Sequence, residues 1–143
     1  MSETTEPTLP ITGGCLCGGV RFEVSEPFVE AHYCHCTRCQ RRTGTAYSAS
    51  AAPAPGAFRV TAGEDLLRTY SPADGWHKVF CGVCGGHVYS RSHLDPDAIG
   101  VRMGAIDGDP GIRPSCHQYV AYAAPWQPLP DDGLPRYEER IPD

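Results

Sequence analysis

A mainly β, single-domain fold is predicted by three features of the sequence. Glycine and proline are abundant, at 16 and 14 of 143 residues, which suits short strands joined by many turns. Between the turns lie short runs rich in β-branched and aromatic side chains, some of them strictly alternating. The 8 cysteines are bunched into closely spaced groups that can tie such strands together. A chain of this length supports one modest core and not two.

Residues 1–12, with Pro7 and Pro10 among Glu, Ser and Thr, bury little apolar surface and read as a flexible tail. The domain itself is expected over 13–126. Gly13-Gly14-Cys15-Leu16-Cys17-Gly18-Gly19 sets two thiols among glycines, which permit positive φ angles and close backbone approach. Val20 to Val24 then alternates, with Val20, Phe22 and Val24 on one face, and predicts a half-buried strand. Phe28 to Tyr33 is the next strand, and it delivers the chain into Cys34-His35-Cys36-Thr37-Arg38-Cys39. Gln40 to Thr43 reads as one helical turn ending at Gly44.

Tyr47 to Ala52 is a further strand. Beyond the breaker Pro53-Ala54-Pro55-Gly56, the runs Phe58 to Thr61, Leu66 to Tyr70 and Trp76 to Phe80 form a meander pattern. Cys81-Gly82-Val83-Cys84-Gly85-Gly86 follows, with Val88 to Ser90 as its return strand. Ile99 to Ile106 and His117 to Tyr122 complete the list, on either side of a Gly108-Asp109-Pro110-Gly111 turn. The acidic, proline-rich stretch 127–143 reads as a surface-wrapping tail anchored by Trp126, Leu134 and Tyr137.

The formal net charge of −5 and the scarcity of basic clusters exclude a broad nucleic-acid footprint. No apolar run approaches the ~20 residues of a membrane span, and the start of the chain lacks the parts of a signal peptide. A cytoplasmic location with no membrane partner is therefore expected. In a reducing compartment, cysteines grouped this way favour metal over disulfides.

A Cys-x-Cys-x-x-Cys run can point three sulfurs at one ion, and zinc takes thiolates tetrahedrally at about 2.3 Å. Spacing alone allows many partitions of eight cysteines. Zinc ribbons join two knuckles distant in sequence, which makes Cys15, Cys17, Cys81 and Cys84 a complete structural set. Cys34, Cys36 and Cys39 are left as a second site, so two zinc ions per chain are expected. Cys116, His35, His117 or solvent can supply its fourth ligand, and Cys116 can equally be a small buried hydrophobe. His35, alternating with ligands, is expected to point away from the ion. His117 is a candidate acid, base or ligand, with a core histidine as the alternative. Arg38, Arg41 and Arg42 beside the thiols suit a ligand's carboxylates or phosphates, or else form a solvated positive turn.

These motifs resemble the glutathione-dependent formaldehyde-activating enzyme family, also called the CENP-V/GFA domain. Gly14-Cys15-Leu16-Cys17-Gly18-Gly19-Val20, Cys34-His35-Cys36-Thr37-Arg38-Cys39 with Thr43-Gly44, Cys81-Gly82-Val83-Cys84-Gly85, His117 and Pro125-Trp126 stand in the family order. The resemblance implies a β-tent fold of small antiparallel sheets around a structural zinc. It also implies that Cys15, Cys17, Cys81 and Cys84 hold that zinc, and that Cys34, Cys36 and Cys39 hold a catalytic one. Cys116 beside His117 departs from the general pattern and raises the question of whether the second site is closed.

The activity the resemblance implies is a carbon-sulfur lyase reaction in the forming direction, joining glutathione to formaldehyde as S-(hydroxymethyl)glutathione. Three thiolates on Zn²⁺ leave a net negative site, which favours exchange of a thiol ligand over activation of water. In that reading His117 moves a proton and Arg38, Arg41 or Arg42 receives a substrate carboxylate. The competing class is a non-enzymatic, zinc-stabilised β domain that binds a protein partner, with both metal sites structural.

Overall fold

The computed structural model describes residues 6–142; the first five residues of the expected N-terminal tail, and Asp143, lie outside them. In chain order the elements are β1 (Ile11–Gly14), β2 (Arg21–Val24), β3 (Glu30–Cys34), α1 (Thr37–Thr43), β4 (Ser48–Ala52), β5 (Phe58–Ala62), β6 (Leu67–Tyr70), β7 (His77–Cys81), β8 (His87–Arg91), β9 (Ile99–Arg102) and β10 (His117–Gln118). They form a 3-stranded sheet, β1-β2-β5, and a 7-stranded sheet, β10-β3-β4-β9-β8-β7-β6. All pairings are antiparallel except that of β10 with β3. The fold is mainly β, a single domain, with one short α-helix. No helix among the described residues is long and apolar enough to cross a membrane.

The alternation of Val20, Phe22 and Val24 buries all three against the core, whereas Arg21 and Glu23 stay half-exposed. β1 begins at Ile11, inside the stretch expected as a tail, because Ile11 pairs with Val24 and is itself buried. β5 is not part of the meander. It pairs with β2 in the small sheet, where the Phe58 ring lies 5.4 Å from that of Phe22. The meander is instead β6-β7-β8-β9.

The run Ile99 to Ile106 is a strand only as far as Arg102 and then tightens into a 3₁₀ turn, Met103–Ala105. His117 to Tyr122 is likewise shortened, since Tyr119 adopts φ 59° and turns the chain into the 3₁₀ segment Val120–Tyr122. The helix is longer than its sequence signal. Cys36 caps it, accepting the Cys39 N–H at 3.3 Å, and Gly44 closes it in the left-handed region with its N–H on the Gln40 carbonyl.

The two sheets meet at Gly13, which bridges to Ile106. A Cβ there would collide with the Ala105 carbonyl oxygen and the Phe22 ring, so the close approach requires glycine. Phe22, 1% exposed, is the largest fully buried side chain of this junction. Phe22→Ala is expected to cost about 3–5 kcal/mol in a urea melt, the range for deleting a buried aromatic ring.

The C-terminal stretch runs beside β10. His117 N–H donates to the Pro135 carbonyl at 2.9 Å, Tyr137 N–H to the His117 carbonyl at 2.8 Å, and Tyr119 N–H to Glu139 at 2.9 Å. Leu134 and Tyr137 are half-buried there, but Trp126 is 66% exposed and anchors nothing.

Candidate metal centres

The first cluster joins the turn after β1 to the turn after β7. The sulfurs of Cys15, Cys17, Cys81 and Cys84 lie within 4.8 Å of one another. Cys15 and Cys17 are 3.6 Å apart and Cys17 and Cys81 are 3.9 Å apart. A tetrahedron with metal–sulfur bonds of 2.3 Å has edges of about 3.8 Å, so these separations fit one thiolate-bound zinc. Backbone N–H groups point at the sulfurs: Val20 to Cys15 at 3.3 Å, Val83 to Cys81 and Gly86 to Cys84 at 3.4 Å. The amides of Cys17 and Gly86 lower the Cys84 thiol to about 6, which prepares it as a thiolate ligand.

The second cluster is built by one strand end and one helix start. Cys34 ends β3, Cys36 is the cap of α1, and Cys39 lies in its first turn, with the three sulfurs within 4.8 Å of one another. Hydrogen bonds from Cys34 and Cys36 draw Cys39 well below the ordinary thiol range, and the same crowding pushes Cys34 up. The soft three-sulfur donor set fits a thiophilic ion such as zinc.

Among the described residues no further His, Cys, Asp or Glu joins this group. Cys116 is therefore not brought in as a fourth ligand. Its carbonyl accepts the Tyr33 N–H at 3.0 Å, and its thiol, buried outside both clusters, is pushed up by desolvation and by Glu30. His35 turns away from the sulfurs to meet His117, with Nε2 to Nδ1 at 2.8 Å.

His117, the candidate proton carrier, is enclosed by its surroundings. The side chain is 0% exposed, stacks at 4.8 Å on Tyr33, and has both ring nitrogens engaged. Nδ1 meets His35 and Nε2 meets Asp132 Oδ2 at 2.8 Å. No nitrogen is left for a ligand or a metal. Asp132, His117 and His35 thus form a hydrogen-bonded chain that ends at the residue between Cys34 and Cys36.

Against the helix α1 that carries Cys39 lies a cavity of about 710 Å³. Arg38, Arg41 and Arg42 line it from α1, and Lys78, His87 and Arg102 face them from β7, β8 and β9. A second cavity of about 550 Å³ shares Arg42, His87 and Arg102 as a common wall. Arg42 connects the larger cavity to the metal cluster, with one terminal nitrogen 3.6 Å from Cys39 Sγ and the other 3.3 Å from His87 Nδ1. Its buried Nε has no partner. Arg102 donates to the hydroxyls of Ser50 and Ser90, and Arg38 pairs with Asp74 at 2.8 Å.

Sequence reasoning missed Lys78, His87 and Arg102. A usable signal existed only for Arg102, a charge inside an otherwise apolar run.

Lys78 is costly where it stands. Burial, then Arg102 and Arg42, lower its ammonium from 10.5 to about 8. The unfolded chain thus holds that proton more tightly between these values. The penalty acts in full below pH 8 and fades as the pH rises to 10.5. Lys78→Met should accordingly melt several degrees higher than the native chain at pH 7, with the gap closing above pH 10.5 in parallel thermal melts.

Residues 10–122 match the family described as glutathione-dependent formaldehyde-activating enzyme. Among solved structures, the crystal structure of a Rhodobacter sphaeroides protein aligns with a TM-score of 0.58 at 24% identity, covering 88% of this chain and 98% of that one. At that identity the likeness is one of fold.

Proposed function

We propose a thiol-handling lyase function for this chain, which belongs to the glutathione-dependent formaldehyde-activating enzyme family. The reaction is the joining of a thiol such as glutathione to formaldehyde or a related small aldehyde, beside Cys34, Cys36 and Cys39. One observation carries this reading: a three-sulfur cluster with no fourth side-chain ligand among the described His, Cys, Asp and Glu, linked through Arg42 to a cationic cavity.

Zinc bound by Cys34, Cys36 and Cys39 would supply a position at which a thiol is stabilised as thiolate near neutral pH. The protein's own contributions are positioning and charge. Arg42 offsets the negative charge gathered at Cys39, and Arg41, Lys78 and Arg102 favour anionic groups on the substrate. Phe80 and Tyr89 give the cavity an apolar side. Asp132, through His117, fixes His35 and with it the backbone between Cys34 and Cys36, where the His35 carbonyl also accepts from Gln40 at 2.8 Å. The substrate thiol gives its proton to water, its sulfur forms the new bond to the aldehyde carbon, the carbonyl π pair becomes an alkoxide, and a proton returned from water completes the hydroxyl.

The four-sulfur cluster is given a structural role, because protein fills every corner of its tetrahedron. A protein-binding domain with two closed sites is less well supported, since Cys116 does not close the second cluster. The test is an amide NMR titration of the zinc-loaded protein with glutathione and then with formaldehyde. Saturable shifts confined to Cys34–Thr43 and the cavity wall are expected; no shift at millimolar glutathione would remove glutathione as the thiol.

A further inference from the structure

We propose that the cavity which Arg42 links to the three-thiol cluster selects a thiol whose non-reacting end carries a compact dianion, either a phosphate ester or two neighbouring carboxylates, held by Arg42, Lys78 and Arg102. The proposal rests on the thiol-handling reading above and narrows its substrate class.

The three cations come from α1, β7 and β9 and converge on one cavity of about 710 Å³, within the usual size of small-molecule sites. Among the described residues none of the three is paired with a carboxylate. Among the described residues Arg102 has only serine hydroxyls as hydrogen-bond partners, and Arg42 has a thiol and a histidine. Its Nε is buried with no partner at all. Cations held out of water without counter-charge weaken a fold. An anionic ligand resolves that cost in the complex.

The thiolates account for only part of this charge. Arg38 is balanced by Asp74, which leaves Arg41, Arg42, Lys78 and Arg102 on the wall. Three thiolates on a divalent ion carry one net negative charge, and a substrate thiolate adds another. Two positive charges remain for the rest of the ligand. A dianion matches them. Glutathione does so less well, because its carboxylates sit at opposite ends and its ammonium needs an acidic partner. The one carboxylate on the described cavity wall, Asp74, is already engaged by Arg38.

The experiment titrates the zinc-loaded full chain and its Lys78→Gln variant by calorimetry with two probe pairs: phosphopantetheine against pantetheine, and mercaptosuccinate against 3-mercaptopropionate. Thiolate charge-transfer absorption of the cobalt-loaded protein reports sulfur binding separately. At least one dianionic probe should bind about tenfold more tightly than its partner. Lys78→Gln should remove most of that advantage, and a cooperative urea melt of the variant controls for folding.

An advantage confined to phosphopantetheine assigns a phosphate ester, and one confined to mercaptosuccinate assigns a dicarboxylate. Equal affinity within both pairs, with normal charge-transfer changes, overturns the dianion and spares the thiol reading. Binding of inorganic phosphate that Lys78→Gln abolishes, with no charge-transfer change from any thiol, overturns the thiol reading instead.

Discussion

Cys81→Ser is expected to unfold the protein. Cys81 is fully buried at the end of β7, its sulfur lies 3.9 Å from Cys17, and its N–H donates to the Gly86 carbonyl at 2.9 Å. It thereby ties the β7-β8 hairpin of the large sheet to the knuckle that follows β1 in the small one. Structural zinc sites supply about 10–16 kcal/mol in zinc-finger peptides, whereas whole domains are stable by about 5–15 kcal/mol. Losing one of four thiolates removes a large part of that binding free energy, and it also sets a serine hydroxyl in a fully buried position. Loss of near-ultraviolet circular dichroism and of a cooperative urea transition would show it, together with a lower zinc content. A cooperative melt at the native midpoint would refute the structural role of this cluster. Cys116→Ala is the matched control: it also removes a buried thiol, and it should leave the zinc content unchanged.

The parts of this protein that were legible in the sequence are those whose information is local. Alternation from Val20 to Val24 marks a strand because its period puts three apolar side chains on one face. Cysteine spacing marks the knuckles, since a turn of two or three residues already sets the sulfur geometry. Pro7 and Pro10 dominate the neighbourhood of Ile11 and predict a tail there, yet its partner Val24 decides its conformation. The same holds for Phe58, whose position follows the Phe22 ring rather than the neighbouring meander.

Site chemistry was legible where it sits within the cysteine motifs and hidden where it is assembled across the fold. His117 drew notice as a histidine, but its role depends on Asp132 in the C-terminal stretch and on His35, 82 residues earlier. Lys78 looks like an ordinary charge in a strand, and Arg102 stands out only as a charge within an apolar run. Only the order β9-β8-β7, set against α1, brings them onto one cavity wall with Arg42. No local pattern announces a convergence of cations from separate elements.

Cys39→Ser separates the two clusters in the opposite way from Cys81→Ser. Cys39 lies in the first turn of a helix of 7 residues that contains no fully buried side chain. Its loss should therefore leave both sheets and the four-sulfur cluster intact. Serine keeps the backbone N–H that Cys36 accepts and the carbonyl that Thr43 uses at 2.7 Å, so the helix cap and first turn survive. What disappears is one of three sulfurs, and two thiolates with no other protein ligand hold zinc poorly. The expected result is loss of one metal per chain, a melting temperature within several degrees of native, and thiol–aldehyde condensation reduced by at least about 10³-fold. Arg42 loses its sulfur contact but keeps its place on the cavity wall, so binding of inorganic phosphate should change by less than about threefold. Unfolding as complete as that of Cys81→Ser would instead make the second cluster structural, whereas a native metal count with native activity would take Cys39 out of the site altogether.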